Sequence, residues 1–335
     1  MKITAIVPAY NEEKSIVECV ASLVKQTRLP DEIVLVNDGS SDRTGLLASM
    51  LAHIVDRLVV VSLAENSGNK ALALKAGSRY ISGDIVVCLD ADSELDSRYI
   101  ELVERRMEDP SVGAVCGRVI SKSFNIITMV RQLEYLLADL VFKPGQDVMG
   151  TIFVAPGVGG AFRAYLFKKE LSADTVAEDM DLTLSVHEAG FKVVYEGKAI
   201  AYTQDPPNLR SYIRQLRRWH SGFFQCFRKH LRRVGIRLKM YFLGVVAEGV
   251  VWVLTTALAL AGGMLAPLAL WAAMEVALGL LLAWRGRGYG LKLYLAALVM
   301  PVFRVLSQVV WWQSLVSELL LKRKLTAWLR ADRYA

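Results

Sequence analysis

The stretch DIVVCLDAD, residues 84–92, is an apolar run that ends in two aspartates separated by one alanine. A continuous apolar run of this length predicts a strand buried on both faces, at residues 84–89. Similar runs precede it at residues 3–7, 32–36 and 57–62, with helical patterns at residues 12–26, from about 42, and at 70–81. This alternation of strands and helices predicts an α/β domain built on a mostly parallel sheet.

Polar residues follow directly after three of the predicted strands. They occupy residues 8–12, 37–42 and 90–92. Sheets of this architecture bind ligands beyond the carboxyl ends of their strands, where neighbouring loops meet. We therefore expect the functional site to lie at this edge of the sheet.

Asp90 and Asp92 form a D-x-D pair at the end of the fourth predicted strand. Two carboxylates in this position can direct oxygen ligands toward one divalent cation and a diphosphate, because Mg²⁺ combines few carboxylates with substrate phosphate oxygens. A short acidic turn without a ligand is the alternative interpretation of such a pair.

Two further segments are suited to a phosphorylated ligand. Asp38 lies in the turn NDGSSD, residues 37–42, where its carboxylate could accept hydrogen bonds from a nucleobase or ribose. The alternative is a structural Asx-turn or helix cap, a role that suits Asp42. Lys70 stands at the start of a predicted helix, where the helix dipole and its own charge both favour phosphate. Alternatively, it is a solvated surface lysine.

Two polar motifs follow in the second part of the soluble region. Glu178 and Asp179 form an acidic pair that suits either general-base chemistry or simply the start of a helix. Gln215, Arg218 and Trp219 fall on one face of a predicted helix, so that amide, guanidinium and indole can converge. Trp219 could instead anchor this helix at a membrane interface.

From Tyr241 onward the chain consists of long, nearly uncharged runs, whereas residues 1–235 read as a soluble domain. Runs at residues 241–260, 265–284 and 291–315 are long enough to cross a hydrocarbon core of roughly 30 Å. Each run carries one ionisable residue, and intramembrane charges usually pair with one another. From Glu248, Glu275 and Arg304 we expect a Glu248–Arg304 pair.

The basic residues favour a membrane over a nucleic acid as partner. The 335-residue chain has a formal net charge of +7, and much of the positive charge flanks the apolar runs, at residues 228–239, Arg285 and Arg287. Since no aromatic-interleaved basic motif is present, nucleic-acid binding is not expected.

The membrane topology depends on how many of the apolar runs cross the bilayer. If the first two runs both cross it, residues 285–292 return to the cytosol, as the positive-inside tendency requires. A third would place residues 322–324 outside, so the third segment is re-entrant or interfacial, or the rule fails.

These patterns divide the chain into a cytosolic domain, residues 1–235, and a membrane region, residues 236–335. Amphipathic patterns at about 124–142 and 209–231 are candidates for helices in the membrane interface, with ordinary core-facing helices as the alternative.

The four cysteines are far apart, which disfavours a zinc site and favours buried thiols in a reducing compartment. No signal peptide is expected ahead of the first strand.

Six segments occur in an order that resembles family 2 glycosyltransferases, specifically the membrane-bound synthase branch with the cellulose, chitin, hyaluronan and poly-N-acetylglucosamine synthases. They are PAYNE at residues 8–12, NDGS at 37–40, GNKALAL at 68–74, DAD at 90–92, AED at 177–179 and QLRRW at 215–219. The resemblance covers residues 3–235. It implies a GT-A catalytic domain (Rossmann-like), inverting chemistry and a UDP-sugar donor.

The resemblance also implies roles for individual residues. Asp179 would be the general base beside Glu178, although Ala177 replaces the threonine of the family motif. The donor would contact Pro8, Ala9, Tyr10, Glu12, Asp38, Lys70, Asp90, Ala91, Asp92, Gln215 and Arg218. Asp92 would also bind Mg²⁺ or Mn²⁺. The acceptor would contact Trp219, Gly159 and Gly160, with a plain tight turn as the alternative for the two glycines.

The sequence thus predicts a metal-dependent, integral plasma-membrane enzyme with a cytosolic catalytic domain. It would transfer a sugar from a UDP-sugar, such as UDP-N-acetylglucosamine or UDP-glucose, to a saccharide or lipid-linked acceptor. A polyprenyl-phosphate glycosyltransferase is the alternative, but an ionised lipid phosphate needs neither a sugar-stacking tryptophan nor a general base. A non-enzymatic nucleotide-sugar sensor would lack Asp92 or Asp179. Because the membrane region is short, either product export would need a homo-oligomer or a partner, or the product would not be exported.

Overall fold

The computed structural model describes residues 1–122 and 124–326, apart from the side chain of Arg287. The predicted membrane region extends to residue 335. Its residues 327–335, and the side chain of Arg287 in the predicted basic loop, therefore lie outside the described part of the chain.

An eight-stranded mixed sheet forms the centre of the N-terminal part. Its strands are β1 (Ile3–Ala9), β2 (Glu32–Asn37), β3 (Leu58–Ser62), β4 (Ile85–Cys88), β5 (Ser93–Leu95), β6 (Val112–Ser121), β7 (Ala161–Arg163) and β8 (Lys192–Thr203). Their spatial order is β3-β2-β1-β4-β7-β6-β8-β5. The pairs among β1 to β4 and the β6–β8 pair are parallel, whereas β7 and β5 run antiparallel to their neighbours. The predicted α/β fold and its four strands are confirmed.

Helices cover both faces of the sheet and continue into the apolar region. They are α1 (Ile16–Val24), α2 (Thr44–Ile54), α3 (Lys70–Gly77), α4 (Tyr99–Met107), α5 (Ile126–Leu137), α6 (Lys143–Met149), α7 (Ala164–Glu170), α8 (Glu178–Glu188), α9 (Leu209–His230), α10 (Ile236–Ala261), α11 (Leu265–Arg285) and α12 (Leu291–Leu315). A π-helical turn, Ala138–Phe142, joins α5 to α6, and another, Val316–Leu320, extends α12.

Both faces of the central strands are buried, which explains their uninterrupted apolar sequence. In β1, Ile3, Ala5 and Val7 face a core shared with α1, α2 and α4. Ile6 faces the opposite core, which contains side chains of α3, α7 and α8. The sheet therefore lies between two helical layers, and its loops emerge at the carboxyl edge.

The loops that follow β1 and β2 are hydrogen-bonded to each other. Asn11 has a left-handed backbone with a φ of 53°, and its Oδ1 accepts a hydrogen bond from the Ser41 N–H at 2.8 Å. The Glu12 N–H donates to Thr44 Oγ1 at 2.7 Å. Because this turn precedes it, α1 begins at Ile16 rather than at the predicted residue 12.

Within the described part of the chain, three helices are long and apolar enough to cross a membrane, namely Ile236–Ala261, Leu265–Arg285 and Leu291–Leu320. Pro301 lies inside the last of these without ending it. The third apolar segment is thus one unbroken helix rather than a re-entrant hairpin.

Helix α12 packs against the helices that follow the sheet as well as against its apolar neighbour α11. Met129 and Leu133 of α5 share a buried cluster with Ala297 of α12. In α9, Phe224 contacts Trp311 of α12, with ring centroids 5.1 Å apart. The apolar faces of both predicted amphipathic helices therefore pack on a candidate membrane span.

The predicted Glu248–Arg304 pair is wrong. Arg304 Nε lies 3.5 Å from Glu275 Oε1, because α11 and α12 are packed side by side. Glu248 is instead exposed on α10, a helix with few contacts to α12. The two glutamates of the apolar region thus differ in their surroundings.

Replacing Glu275 should destabilise the protein much more than replacing Glu248. Glu275→Leu leaves the half-buried Arg304 guanidinium without its carboxylate, and breaking such a pair costs on the order of 3 kcal/mol of unfolding free energy. Glu248→Leu removes an exposed carboxylate and is the matched control. Thermal unfolding in lipid nanodiscs measures both, and equal losses of stability for the two variants would contradict the assigned pair.

Gly39 and Gly68 allow a second comparison, because both have positive φ angles, 63° and 71°. A Cβ at Gly39 would lie 2.2 Å from the Glu65 carbonyl carbon, whereas a Cβ at Gly68 meets nothing within 4 Å. Gly68→Ala should cost only the left-handed backbone penalty of about 1–2 kcal/mol. Gly39→Ala must also displace the loop before α3, so its thermal midpoint should be lower than that of Gly68→Ala. Equal midpoints would show that this loop yields freely.

Candidate active site

The ammonium group of Lys70 lies at the centre of the polar edge of the sheet. Lys70 is the first residue of α3, behind the N-cap Asn69. Its Nζ forms an ion pair with Asp90 and lies 3.1 Å from Glu178 Oε1. The Lys70 side chain is only 14% exposed, so this is a largely buried cation between two carboxylates. The alternative of a solvated surface lysine is therefore wrong.

Charge interactions dominate the ionisation of Lys70. Burial alone would lower its pKa, but the carboxylates of Asp90 and Glu178 outweigh that effect and hold the pKa above its ordinary value. Lys70 therefore carries a full positive charge at physiological pH. A fixed cation at this position suits a phosphorylated ligand.

Glu178 and Asp179 begin α8 but have different surroundings. Glu178 is 4% exposed, and burial raises its pKa although Lys70 acts in the opposite direction. Asp179 is half-buried. Its Oδ2 accepts a hydrogen bond from the Gly157 N–H at 3.3 Å, and its Oδ1 from the Met180 N–H at 2.8 Å. Of the pair, Asp179 is the carboxylate with access to a ligand.

A glycine-rich segment, PGVGG at residues 156–160, lies against Lys70. A Cβ at Gly157 would lie 2.2 Å from Lys70 Nζ. A Cβ at Gly159 would lie 2.4 Å from the Tyr99 hydroxyl, and one at Gly160 2.5 Å from the Pro156 carbonyl oxygen. A side chain at Gly159 or Gly160 would thus clash with neighbouring protein atoms. Gly157, by contrast, contacts the predicted site residues Lys70 and Asp179. Gly157 was not among the residues predicted from sequence, although three glycines in five residues are a signal of close backbone approach.

Asp38 is held by the loop before α3. It is 5% exposed, and its carboxylate accepts hydrogen bonds from the Ser67 N–H and the Ser67 hydroxyl, both at 2.9 Å. Asp42 forms the Asx-turn, with its Oδ1 accepting from the Thr44 N–H at 2.9 Å. The two aspartates therefore have separate roles, and Asp38 joins the loops after β2 and β3.

The remaining predicted donor residues line the same edge with different exposure. Ala9 and Ala91 are buried, Pro8 and Glu12 are half-buried, and Tyr10 is exposed. Asp92 is 4% exposed, and its Oδ1 accepts a hydrogen bond from Ser93 Oγ at 2.9 Å. The three strand-end segments predicted from sequence therefore do meet at one place.

The three residues of the Q-x-x-R-W motif in α9 do not all contact the same side chain. Gln215 Oε1 accepts a hydrogen bond from Arg131 Nη2 at 2.8 Å, and the Arg131 guanidinium carbon lies 4.5 Å from the Trp219 ring centroid. Arg218 is half-buried. Its positive charge favours the ionised form of Glu178 and so opposes the rise in pKa that burial causes there. Arg131 was missed, because nothing in its local sequence distinguishes it from other charges of an amphipathic helix.

The carboxylates present suit a metal only together with a ligand. Across residues 1–122 and 124–326, no three His, Cys, Asp or Glu side chains are grouped to hold a metal ion. Asp90 and Asp92 are nevertheless adjacent at the end of β4, and hard divalent cations bind one or two carboxylates plus substrate phosphate oxygens. These two carboxylates therefore fit Mg²⁺ or Mn²⁺ once a diphosphate supplies the other metal ligands.

Two curated proteins are similar to this chain in sequence. An N-acetylglucosaminyltransferase of Azorhizobium caulinodans is 30% identical over 233 residues, which cover 65% of this chain and 58% of the relative. A poly-beta-1,6-N-acetyl-D-glucosamine synthase of Staphylococcus aureus strain COL is 31% identical over 226 residues, 66% of this chain and 54% of the relative. The chain thus spans a little over half the length of these relatives.

A solved structure shares the fold. It is a mannosyltransferase from Pyrobaculum calidifontis in complex with GDP-Man and Mn²⁺, with a TM-score of 0.67 and 22% sequence identity over 93% of this chain and 87% of that chain. The predicted GT-A fold is confirmed. The sequence model of the family described as "Glycosyl transferase family 2" matches residues 4–171, half of the chain. The chain therefore belongs to glycosyl transferase family 2.

Proposed function

We propose that the chain transfers a sugar from a UDP-sugar to the hydroxyl of a saccharide or lipid-linked acceptor, with inversion at the anomeric carbon. The relatives named above favour N-acetylglucosamine as the sugar. The observation that carries the proposal is the meeting of Lys70, Asp90 and Asp179 at the Gly157 backbone, which lies against the Lys70 ammonium and donates a hydrogen bond to Asp179. This arrangement combines a cation for a diphosphate with a carboxylate for a hydroxyl proton.

The donor nucleoside would lie along the ends of β1 and β2, against Pro8, Ala9, Tyr10, Glu12 and Asp38. Its diphosphate would approach Lys70, Asp90 and Ala91, with Arg218 as a second cation. A negative diphosphate is attracted to the fixed charge of Lys70 at the start of α3. Because Asp90 and Glu178 already pair with Lys70, the charge of the diphosphate would be balanced by Lys70 together with Arg218 and a divalent ion.

Asp179 would act as the general base. As the acceptor oxygen forms its bond to the anomeric carbon, its proton passes to the Asp179 carboxylate and the bond to the diphosphate oxygen breaks. The electron pair of that bond leaves with UDP. Glu178 is unsuited to this role, because it is buried against Lys70. Its proposed role is to hold the ammonium group in position.

A divalent ion held by Asp92 and the diphosphate would, when bound, offset the negative charge that develops on the leaving group. The related fold from Pyrobaculum calidifontis was solved with Mn²⁺, which supports either Mn²⁺ or Mg²⁺ here. On the acceptor side, Trp219 is 37% exposed and offers an indole surface on which a sugar can stack.

The membrane setting is part of the proposal. Helices α10, α11 and α12 would anchor the chain in the cell membrane, with the sheet domain in the cytosol. Arg228, Arg232, Arg233, Arg237 and Lys239 precede or open α10 and would lie among anionic headgroups. Transfer would then occur at the cytosolic surface, close to any lipid-linked acceptor.

Asp179→Asn should abolish transfer while leaving donor binding intact. Loss of a general base lowers kcat by about 10²–10⁴-fold. The measurement is UDP release from a panel of UDP-sugars with Mn²⁺ or Mg²⁺, with saccharide and lipid products identified. Asp174→Asn is the control, since Asp174 lies in the same segment but is 72% exposed and paired with Lys229.

Three outcomes separate the candidate functions. Metal-dependent release from one UDP-sugar, lost only in Asp179→Asn, supports the proposal and identifies the sugar. Turnover that requires added polyprenyl phosphate, and that survives in Asp179→Asn, favours the polyprenyl-phosphate transferase instead. Release that is equally fast in both aspartate variants contradicts the base assignment.

Glu178→Gln should raise thermal stability above neutral pH while lowering activity. The pKa of Glu178 in the folded protein lies above its ordinary value of 4.5. The stability that the protonated side chain contributes is therefore fully present below pH 4.5 and is lost as the pH rises through the folded-state pKa. The stability gain of the variant should therefore grow from pH 4.5 to pH 8, as thermal unfolding can measure. Glu13→Gln is the control, because the Arg43 N–H and guanidinium lower the pKa of Glu13 below 4.5. Its contribution is already present above pH 4.5, so the stability change of this variant should be nearly constant over the same pH range. A gain that does not change with pH would contradict the assigned shift.

A further inference from the structure

Arg131 of α5 is a buried cation enclosed by aromatic rings of another helix. It is 2% exposed, and its guanidinium carbon lies 4.5 Å from the ring centroids of both Tyr212 and Trp219. These two residues are seven positions apart in α9, which corresponds to a separation of about 10 Å along the helix. The guanidinium therefore fits between the two rings.

The same face of α9 supplies a third contact. Gln215 lies between Tyr212 and Trp219 on the i, i+3, i+7 face of the helix, and its Oε1 accepts the hydrogen bond from Arg131 Nη2 at 2.8 Å. One guanidinium thus contacts three successive side chains of one helical face. Only a planar group with several donors can stack on rings and donate in its own plane at once.

Arg131 is itself held in place by carboxylates. It forms an ion pair with Glu134, and its Nε lies 3.9 Å from Oδ1 of Asp205, which is fully buried. The Tyr212 hydroxyl donates to Glu134 Oε1 at 2.9 Å, and the Tyr135 hydroxyl to Asp205 Oδ1 at 3.0 Å. Because these partners neutralise the cation, Arg131 has no need of a phosphate ligand. Its charge and shape serve contacts within the protein.

From these contacts we propose that Arg131 is a positioning residue that fixes the plane of the Trp219 indole and the amide of Gln215, and so sets how tightly the acceptor sugar is bound. This inference rests on the proposed function, in which Trp219 stacks on the acceptor. Trp219 is 37% exposed, so one surface of the indole is covered by Arg131 while another remains open. An indole held in one orientation binds a sugar without first losing side-chain freedom.

Arg131→Lys tests the proposal in the full chain, reconstituted in nanodiscs. Lysine keeps the charge beside Glu134 and Asp205 but loses the planar stack, so the KM for a soluble β-1,6-linked N-acetylglucosamine pentasaccharide should rise roughly tenfold. The KM for UDP-N-acetylglucosamine should stay within about twofold. Arg118→Lys is the matched control, since Arg118 pairs with Asp139 at 3.0 Å and makes no ring contact with α9. It should change neither constant.

Two further variants separate positioning from folding. Tyr212→Leu removes one ring of the stack and the hydroxyl that donates to Glu134. Because it leaves every charge in place, it should raise the acceptor KM even if Arg131→Lys folds poorly. Trp219→Ala should raise the acceptor KM, and adding Arg131→Lys to it should have little further effect, because the two residues act as one unit. An unchanged acceptor KM in Arg131→Lys, an equal rise in both KM values, or additive effects in the double variant would each overturn the proposal.

Calorimetric binding of the pentasaccharide without donor distinguishes this inference from the proposed reaction. If the wild type releases no UDP from any UDP-sugar but binds the pentasaccharide roughly tenfold more tightly than Arg131→Lys does, the reaction is wrong and the positioning role stands. If the wild type is active but both proteins bind the pentasaccharide equally well, the reaction stands and the positioning role is wrong. A wild type that binds no pentasaccharide overturns the positioning role outright.

Discussion

The site depends on one buried cation, the ammonium group of Lys70. It lies between Asp90, which follows β4, and Glu178, which begins α8. Without it, two carboxylates would face each other in a largely dry space, where like charges repel strongly. The close approach of the Gly157 backbone leaves room for no side chain beside the ammonium. A strand end, two helix starts and a glycine loop are thus arranged around a single charge.

A second buried cation, Arg131, is held by a different set of contacts. Arg131 contacts rings, an amide and carboxylates from α5, α9 and the loop between β8 and α9. Lys70 is paired with two carboxylates and its side chain is 14% exposed, whereas the Arg131 side chain is 3% exposed and is enclosed by rings as well as carboxylates. In the proposed reaction, the donor side of the site would be defined by charge, and the acceptor side by the shape and orientation of an aromatic surface.

Sequence alone was sufficient for the features that are local. The apolar runs of β1 to β4 and the polar residues after them identified the sheet and its functional edge, because both signals are contained in a few neighbouring residues. The links between distant residues were not predictable. Arg131 and Gln215 are 84 positions apart, and Arg304 pairs with Glu275 rather than Glu248 because of how two helices pack. Gly157 carried a signal that went unused, since its partner Lys70 is distant in sequence.

The packing of α12 on both α5 and α9 has a consequence for biogenesis. Met129 and Leu133 of α5, and Phe224 of α9, reach their buried positions only when residues near 297 and 311 are present. A ribosome makes these residues long after the sheet domain has emerged. The strand ends of the sheet can therefore assemble early in synthesis, whereas the surroundings of α9 are completed only when α12 has been made. In the proposed membrane setting, insertion of α12 would be a step in building the proposed acceptor surface as well as in anchoring the chain.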